Sequence, residues 1–264
     1  MIVLIMAGGL GKRMESDIPK VLHEVCLPTN PEIKYPMIVH VILAALKLNP
    51  KKIFIIVGKY KDLIKKTIDK YLFEWTNDIE YIIQENANGT GHAILCSLPT
   101  IQSQSTYIDD NALILSGDVP LISADTLRNM NGIQNKILIT DLKNPFGCGR
   151  IIKNAADEFV GIVEQKDANE EELKITMVNC GIYNLLVKDL VEIVPLIENK
   201  NKAGEYYLTD MFHLMVERKK PISTHELNFF CQYEITNINT KKDLENVNEY
   251  VKNQNPLFSF FIKD

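Results

Sequence analysis

Short apolar runs alternate with longer amphipathic stretches through the first half of the chain. MIVLIM opens it, and KIFIIV at 52–57, IEYII at 79–83 and ALILS at 112–116 follow. Between them, apolar positions recur at helical spacing over 36–48, 60–72 and 91–98. The first pattern suits strands buried on both faces, and the second suits helices laid against a sheet. Strands and helices at this rhythm predict βαβ units, a mostly parallel sheet and a ligand site beyond the carboxyl ends of the strands. The second half changes character. KILITDL, GRIIK, FVGIVEQ and ITMVNCGIYNL read as strands before two helical stretches at 205–219 and 240–252, which suggests an antiparallel flap on the first sheet. A soft boundary falls between about 140 and 150. The three prolines of CLPTNPEIKYP, 26–36, predict a surface loop, and the apolar tail PLFSFFIKD is expected to dock on the body, with an oligomer contact as the alternative.

Composition narrows the class. With 264 residues, 46% of them hydrophobic, the chain can bury the core of one large α/β domain. A formal charge of -5 argues against a nucleic-acid surface, so an anionic ligand must be met by local cations. No run approaches the roughly 20 apolar residues of a membrane span, and the opening lacks the features of a signal peptide; a cytoplasmic protein is expected. The five cysteines, Cys26, Cys96, Cys148, Cys180 and Cys231, are scattered without CxxC or Cys/His spacing and read as reduced structural thiols. HExxH and GxSxG motifs are absent, which leaves zinc hydrolysis and serine acyl transfer without support.

Candidate chemistry begins after the first strand, in Ala7-Gly8-Gly9-Leu10-Gly11-Lys12-Arg13-Met14. Glycines there let backbone N–H groups approach phosphate oxygens, and Lys12, Arg13 and Lys20 place three cations within nine positions. Neither GxxxxGK[ST] nor GxGxxG fits. Glycine at a tight βα turn is often only steric, but clustered cations at a strand's carboxyl end imply an anion. Gln84 ends a predicted strand, and Gly89-Thr90-Gly91-His92 opens a helix. An amide offers both a donor and an acceptor, as the edge of a uracil requires, whereas the plain alternative is a surface amide with Thr90 as a cap; His92 reads as structural. Asp118 follows ALILS at the sheet's carboxyl edge, where one carboxylate plus substrate phosphates suffices for Mg²⁺.

AGGLGKRM with PKVLHEV resembles the signature of the sugar-1-phosphate nucleotidyltransferases. More narrowly, it is similar to the N-acetylglucosamine-1-phosphate uridyltransferase domain of bacterial bifunctional enzymes. QENANGTGHA, LSGDVPLIS, GCGRIIK, VGIVEQKDAN, VNCGIY and AGEYYLTDMF follow in family order over some 240 residues. The resemblance implies a three-layer, Rossmann-like (GT-A-like) α/β fold with a mostly parallel central sheet and a smaller β-rich sugar-binding region. One nucleotidyltransferase domain would then divide into a nucleotide-binding half, 1–140, a sugar-binding half, 141–239, and a C-terminal helix and tail, 240–264.

The implied reaction joins UTP and N-acetylglucosamine 1-phosphate to give UDP-N-acetylglucosamine and pyrophosphate, with Mg²⁺ as cofactor. Carried over position by position, Arg13 and Lys20 are catalytic, while Ala7, Gly8, Gly9, Gly11, Gln84, Gly89 and Thr90 bind the nucleotide. Gly149, Glu164, Asn179, Tyr207 and Thr209 bind the sugar, and Asp118 and Asn239 hold the metal. Ser116, Lys12 and Cys180 depart from the usual residues, and the loop 26–36 is longer than in the bacterial enzymes. Those relatives continue into a left-handed β-helix that acetylates the sugar and forms a trimer; neither that domain nor its activity is expected here, and a homo-oligomer is left open. A pyrophosphorylase for glucose 1-phosphate with UTP or dTTP is the alternative, followed by a non-catalytic nucleotide-sugar sensor. Retained Arg13, Lys20 and Asp118 argue against the sensor.

Overall fold

Uninterrupted burial along the apolar strands decides the architecture, because each strand has two faces to cover. The protein is described by a computed structural model covering residues 1–9 and 11–253. Leu10, the side chain of Lys12 and the apolar segment 256–264 lie outside the described residues.

The first half comprises β1 (Ile2–Met6), β2 (Glu24–Leu27), β3 (Asn30–Pro36), α1 (Met37–Leu46), β4 (Ile53–Val57), α2 (Lys61–Tyr71), β5 (Ile79–Ile83), α3 (Thr90–Gln102) and β6 (Asn111–Ser116). After them come α4 (Ala124–Met130), β7 (Asn135–Asp141), β8 (Arg150–Lys153), β9 (Phe159–Val163), β10 (Met177–Leu186), α5 (Val187–Ile193), α6 (Asp210–Glu217), β11 (Ile222–Glu226) and α7 (Lys241–Asn253).

The main sheet runs β11-β7-β10-β6-β1-β4-β5, and β8 and β9 attach through β10. Pairing is parallel from β6 through β5, with β10 inserted antiparallel between β6 and β7. Val3, Ile5, Ile53, Ile55, Leu113 and Leu115 pack one face against α1, α2 and α4. Ile2, Leu4, Phe54, Ile56, Ala112 and Ile114 pack the other against α3, α5 and α6. Each fully buried side chain of this kind contributes about 1.5–3 kcal/mol. The three-layer α/β fold expected from the sequence is the one observed. None of the helices among the described residues is long and apolar enough to cross a membrane.

Two expectations are corrected. The segment 26–36 is not a loop: β2 and β3 form a separate antiparallel ribbon, with a register shift between Cys26 and Leu27. A two-stranded ribbon has two open edges, and its shift and ends absorb the prolines that a central strand would reject. The expected flap also divides. β7, β10 and β11 belong to the main sheet, and only β8 and β9 project as a hairpin, tied in through the Arg150–Val178 pair.

The chain leaves β1 toward β4 and leaves β6 in the opposite direction, toward β7. A crevice therefore opens beyond the ends of these two neighbours, at Met6 and Ser116.

Candidate active site

The glycine loop and Asp118 meet at that crevice. The Gly117 N–H donates to the Met6 carbonyl at 2.9 Å, which locks the two strand ends together. Gly11 has φ +58°, and a Cβ there would stand 2.6 Å from Lys20 Cβ. Glycine is needed on two counts, for its left-handed backbone and for the close approach of Lys20. Lys20 Nζ donates to Asp118 Oδ2, and to Asn239 Oδ1 at 3.0 Å. Ser116 Oγ donates to the other Asp118 oxygen at 2.6 Å.

Asn239 is delivered from the far end of the chain. The Ile238 N–H donates to the Asp118 carbonyl at 3.1 Å, and Ile238 packs with Met14, Val25 and Val247. A reciprocal cap then starts α7: the Asn239 and Thr240 N–H groups donate to Asp243 Oδ2, and the Asp243 N–H returns a bond to Thr240 Oγ1. Burial pushes the Asp243 carboxyl up, but these donors and the nearby Arg13 charge outweigh it and hold the group below its ordinary value. Arg13 itself is exposed at the rim, in the 3-10 turn Lys12–Met14.

A cavity of about 260 Å³ continues from Lys20, Asp118 and Ser116 past Gly8 and Gly9 to Gln84, Gly89 and Thr90. Gln84 is buried, and its Nε2 donates to the Gly89 carbonyl and to His92 Nδ1, both at 3.1 Å. That bond gives His92 the structural role expected of it. Gln84 Oε1 faces the glycine loop, 3.0 Å from where a Cβ on Gly8 would sit. Gly89 has φ +109°, and a Cβ there would run into the Tyr206 carbonyl. Thr90 Oγ1 accepts from the Leu208 N–H at 3.0 Å, so it joins the Gln84 side of the cavity to the segment carrying Tyr207 and Thr209. Ala7 is buried beneath the loop, with its N–H donated to Ile56.

The remaining candidates form one connected cluster. Thr209 Oγ1 donates to Glu164 Oε1 at 2.9 Å, the Asn179 N–H donates to the Gly149 carbonyl at 2.9 Å, and Asn179 Nδ2 donates to the Tyr183 hydroxyl at 2.7 Å. A Cβ on Gly149 would stand 3.3 Å from Glu164 Oε1. Asn179 lies where β10 slips register against β7, with Gly181 at φ +71° and its N–H bound to Asn179 Oδ1. Glu164 and Tyr207 line a second, larger cavity of about 670 Å³ with Asp167, Asp210 and His213. Burial raises the Glu164 carboxyl; the Thr209 hydroxyl opposes this, Asp210 and Asp167 add to it, and Arg150 opposes it. The Tyr207 phenol is pushed up to about 12, by burial first and then by Asp167, Glu205, Glu164 and Asp210.

The donor set suits a hard cation. The Lys20 ammonium lies between an Asp carboxylate and an Asn amide oxygen, which makes it a stand-in positive charge on two oxygens of the type Mg²⁺ prefers. Among the described residues no group of three or more His, Cys, Asp or Glu side chains could hold a metal by itself. Phosphate oxygens would have to complete the shell.

Three participants were not singled out as site residues from the sequence. Ser116 was noted only as a departure, the Thr240-x-x-Asp243 cap carried a readable motif, and Arg150 sat unremarked inside GCGRIIK.

Residues 3–135 match the family described as the MobA-like NTP transferase domain. Over 263 residues the chain is 40% identical to a "Probable UDP-N-acetylglucosamine pyrophosphorylase" of Acanthamoeba polyphaga mimivirus, covering 95% of this chain and 96% of that protein. It is 35% identical over 252 residues to the "Bifunctional protein GlmU" of Legionella pneumophila, covering 92% of this chain and 50% of that protein. The chain thus spans about half the length of this bifunctional relative. Among solved structures, it is similar to a putative glucose-1-phosphate thymidylyltransferase from Bacillus anthracis, with TM-score 0.69, 20% identity and 97% of each chain covered. A UDP-glucose pyrophosphorylase complexed with UDP-glucose gives TM-score 0.69 at 17% identity over 96% of this chain and 99% of that one. At such identities the likeness speaks for the fold.

Proposed function

The chain belongs to the nucleotidyltransferase family of the MobA-like NTP transferase domain, and from that premise we propose that it transfers a uridylyl group from UTP to N-acetylglucosamine 1-phosphate. One observation carries the reading: a glycine loop, Lys20, Asp118 and Asn239 converge where the chain leaves β1 and β6 in opposite directions. Two relatives of 40% and 35% identity, named for UDP-N-acetylglucosamine synthesis and for GlmU, support the choice of sugar and base.

The nucleophile is an oxygen of the sugar phosphate. With a second pKa near 6 that phosphate is already largely ionised at neutral pH, so no side chain has to remove a proton. Its oxygen bonds to the α-phosphorus while the α–β bridging bond breaks, and pyrophosphate leaves with the electron pair. The backbone of Gly8, Gly9 and Gly11 cradles the triphosphate, with Ala7 beneath. Lys20 and Arg13 neutralise the charge that develops around the α-phosphorus and the leaving group. Asp118 and Asn239 would hold Mg²⁺, which supplies further charge neutralisation on phosphate oxygens when bound.

Gln84 Oε1, its amide nitrogen already bonded within the protein, accepts the pyrimidine N–H, with Gly89 and Thr90 shaping the base pocket. Gly149 backbone, Glu164 and Asn179 meet the sugar, bordered by Tyr207 and Thr209. Pyrophosphate release from the two substrates tests this. Lys20→Ala and Arg13→Ala are expected to lower kcat by about 10²–10³-fold with the fold retained, Lys20→Ala at a lower unfolding temperature because it strips the enclosed Asp118 carboxylate of its ammonium. EDTA is expected to abolish turnover, and near wild-type rates in both variants would contradict the assignment.

A further inference from the structure

Among the described residues Arg150 is the only Lys or Arg that is buried, at 2% exposure, and it forms no ion pair there. Its guanidinium is met by neutral oxygens: Nη1 donates to the Cys148 carbonyl and Nη2 to Gln165 Oε1 at 2.8 Å. Nε is buried without a partner. An enclosed cation without a carboxylate costs several kcal/mol, and an apolar residue of the same volume would fill the space at less cost. Something other than packing must favour it.

Its contacts indicate what. Gln165 Oε1 also accepts from the Gly147 N–H at 3.1 Å, so Arg150 and Gln165 together tie the turn 147–149 to the strand end that carries Glu164. The same turn hands the Gly149 carbonyl to the Asn179 N–H.

We propose that Arg150 is a positioning residue for the sugar subsite: it fixes the 147–149 turn beside Glu164 and supplies the positive field behind that carboxylate, so that Gly149 and Glu164 are presented to the sugar as one surface. This rests on the sugar-binding reading given above. Glu164 is faced by the Thr209 hydroxyl, by the charges of Asp210, Asp167 and Arg150, and by the titratable Cys148, Tyr183 and Tyr207, with His213 lining the same cavity; Arg150 acts to keep it ionised, less than the Thr209 hydroxyl does, so its loss lets the carboxyl protonate at higher pH.

The test is steady-state kinetics against pH for wild type, Arg150→Lys, Arg150→Gln and Glu164→Gln, with thermal unfolding recorded for each. Arg150→Gln is expected to raise KM for N-acetylglucosamine 1-phosphate by about tenfold, roughly the worth of one hydrogen bond to a charged group, with KM for UTP changed by less than about twofold. It is also expected to move the acid limb of kcat/KM for the sugar phosphate to higher pH. Arg150→Lys keeps the charge but not the fork, and should restore the acid limb with only part of the KM. Equal rises in both KM values in Arg150→Gln would overturn the proposal. Should Arg150→Gln fail to fold, Arg150→Lys decides: equal rises in its two KM values would overturn the proposal, and a rise confined to the sugar phosphate would uphold it. If Glu164→Gln raises the sugar KM and Arg150→Gln does not, the inference alone fails; if neither does, the sugar-subsite reading fails with it.

Discussion

A single ammonium, that of Lys20, touches both oxygens assigned to the metal, and Gly11 is what lets it reach them. Replacing Gly11 by Ala puts a methyl group into Lys20 Cβ and strains a φ of +58°, at a cost of about 1–3 kcal/mol. Gly11→Ala should therefore lower kcat through displacement of Lys20 and leave KM for the sugar phosphate nearly unchanged; wild-type kcat in that variant would contradict the account. Gly89→Ala would drive its methyl into the Tyr206 carbonyl, and there the loss should fall on KM for UTP, read from initial rates at saturating sugar phosphate. A rise confined to the sugar KM would contradict it. At this scale the sequence was informative wherever a residue type implies its chemistry, as with Lys20, Asp118, Gln84 and Glu164. It was silent on Ser116 and Arg150, because a serine donor and a buried guanidinium acquire meaning only through their partners. Arg13, expected in the catalytic group, sits exposed at the rim, near enough to act on Asp243 by charge.

Elements set how these side chains are held. Asn239 owes its place to the cap of α7, where Asp243 binds two backbone N–H groups. Removing that cap with Asp243→Ala should cost about 1 kcal/mol of stability. The sign of its pH dependence follows from the lowered carboxyl: stabilisation is complete above the unfolded Asp value of about 3.9 and is lost as pH falls through the lower folded value. Urea unfolding of wild type and Asp243→Ala should therefore differ more at pH 7 than near pH 3, and an equal difference at both would contradict the assignment. Strands and helices of the first half were legible because apolar periodicity and burial are the same fact seen twice. The ribbon β2–β3 was not, because three prolines in eleven residues mask its strand pairing, and the face that covers Val25 and Cys26 comes from the far end of the chain. The register slip in β10 that aims Asn179 left only Gly181 as a trace, and one glycine does not announce a bulge.

Across the molecule, one sheet joins what the sequence divides. Parallel strands β6-β1-β4-β5 carry the glycine loop, Gln84 and Asp118 at their carboxyl ends, and β10 and β7 extend the same sheet toward Glu164 and Asn179. The residues proposed for the nucleotide and for the sugar thus share one sheet, and the Thr90 to Leu208 bond crosses between the two groups. The order of strands, and hence the switch point between β1 and β6, depends on long-range pairing that local patterns do not encode; the family resemblance implied only a mostly parallel central sheet. The central claim is the pairing of uridine with N-acetylglucosamine 1-phosphate. Pyrophosphate release measured for UTP, CTP, dTTP and GTP against glucose, glucosamine and N-acetylglucosamine 1-phosphates, with and without EDTA, tests it most directly. The account predicts the highest kcat/KM for UTP with N-acetylglucosamine 1-phosphate, abolished by EDTA; a preference for glucose 1-phosphate or for dTTP, or turnover that survives EDTA, would contradict it.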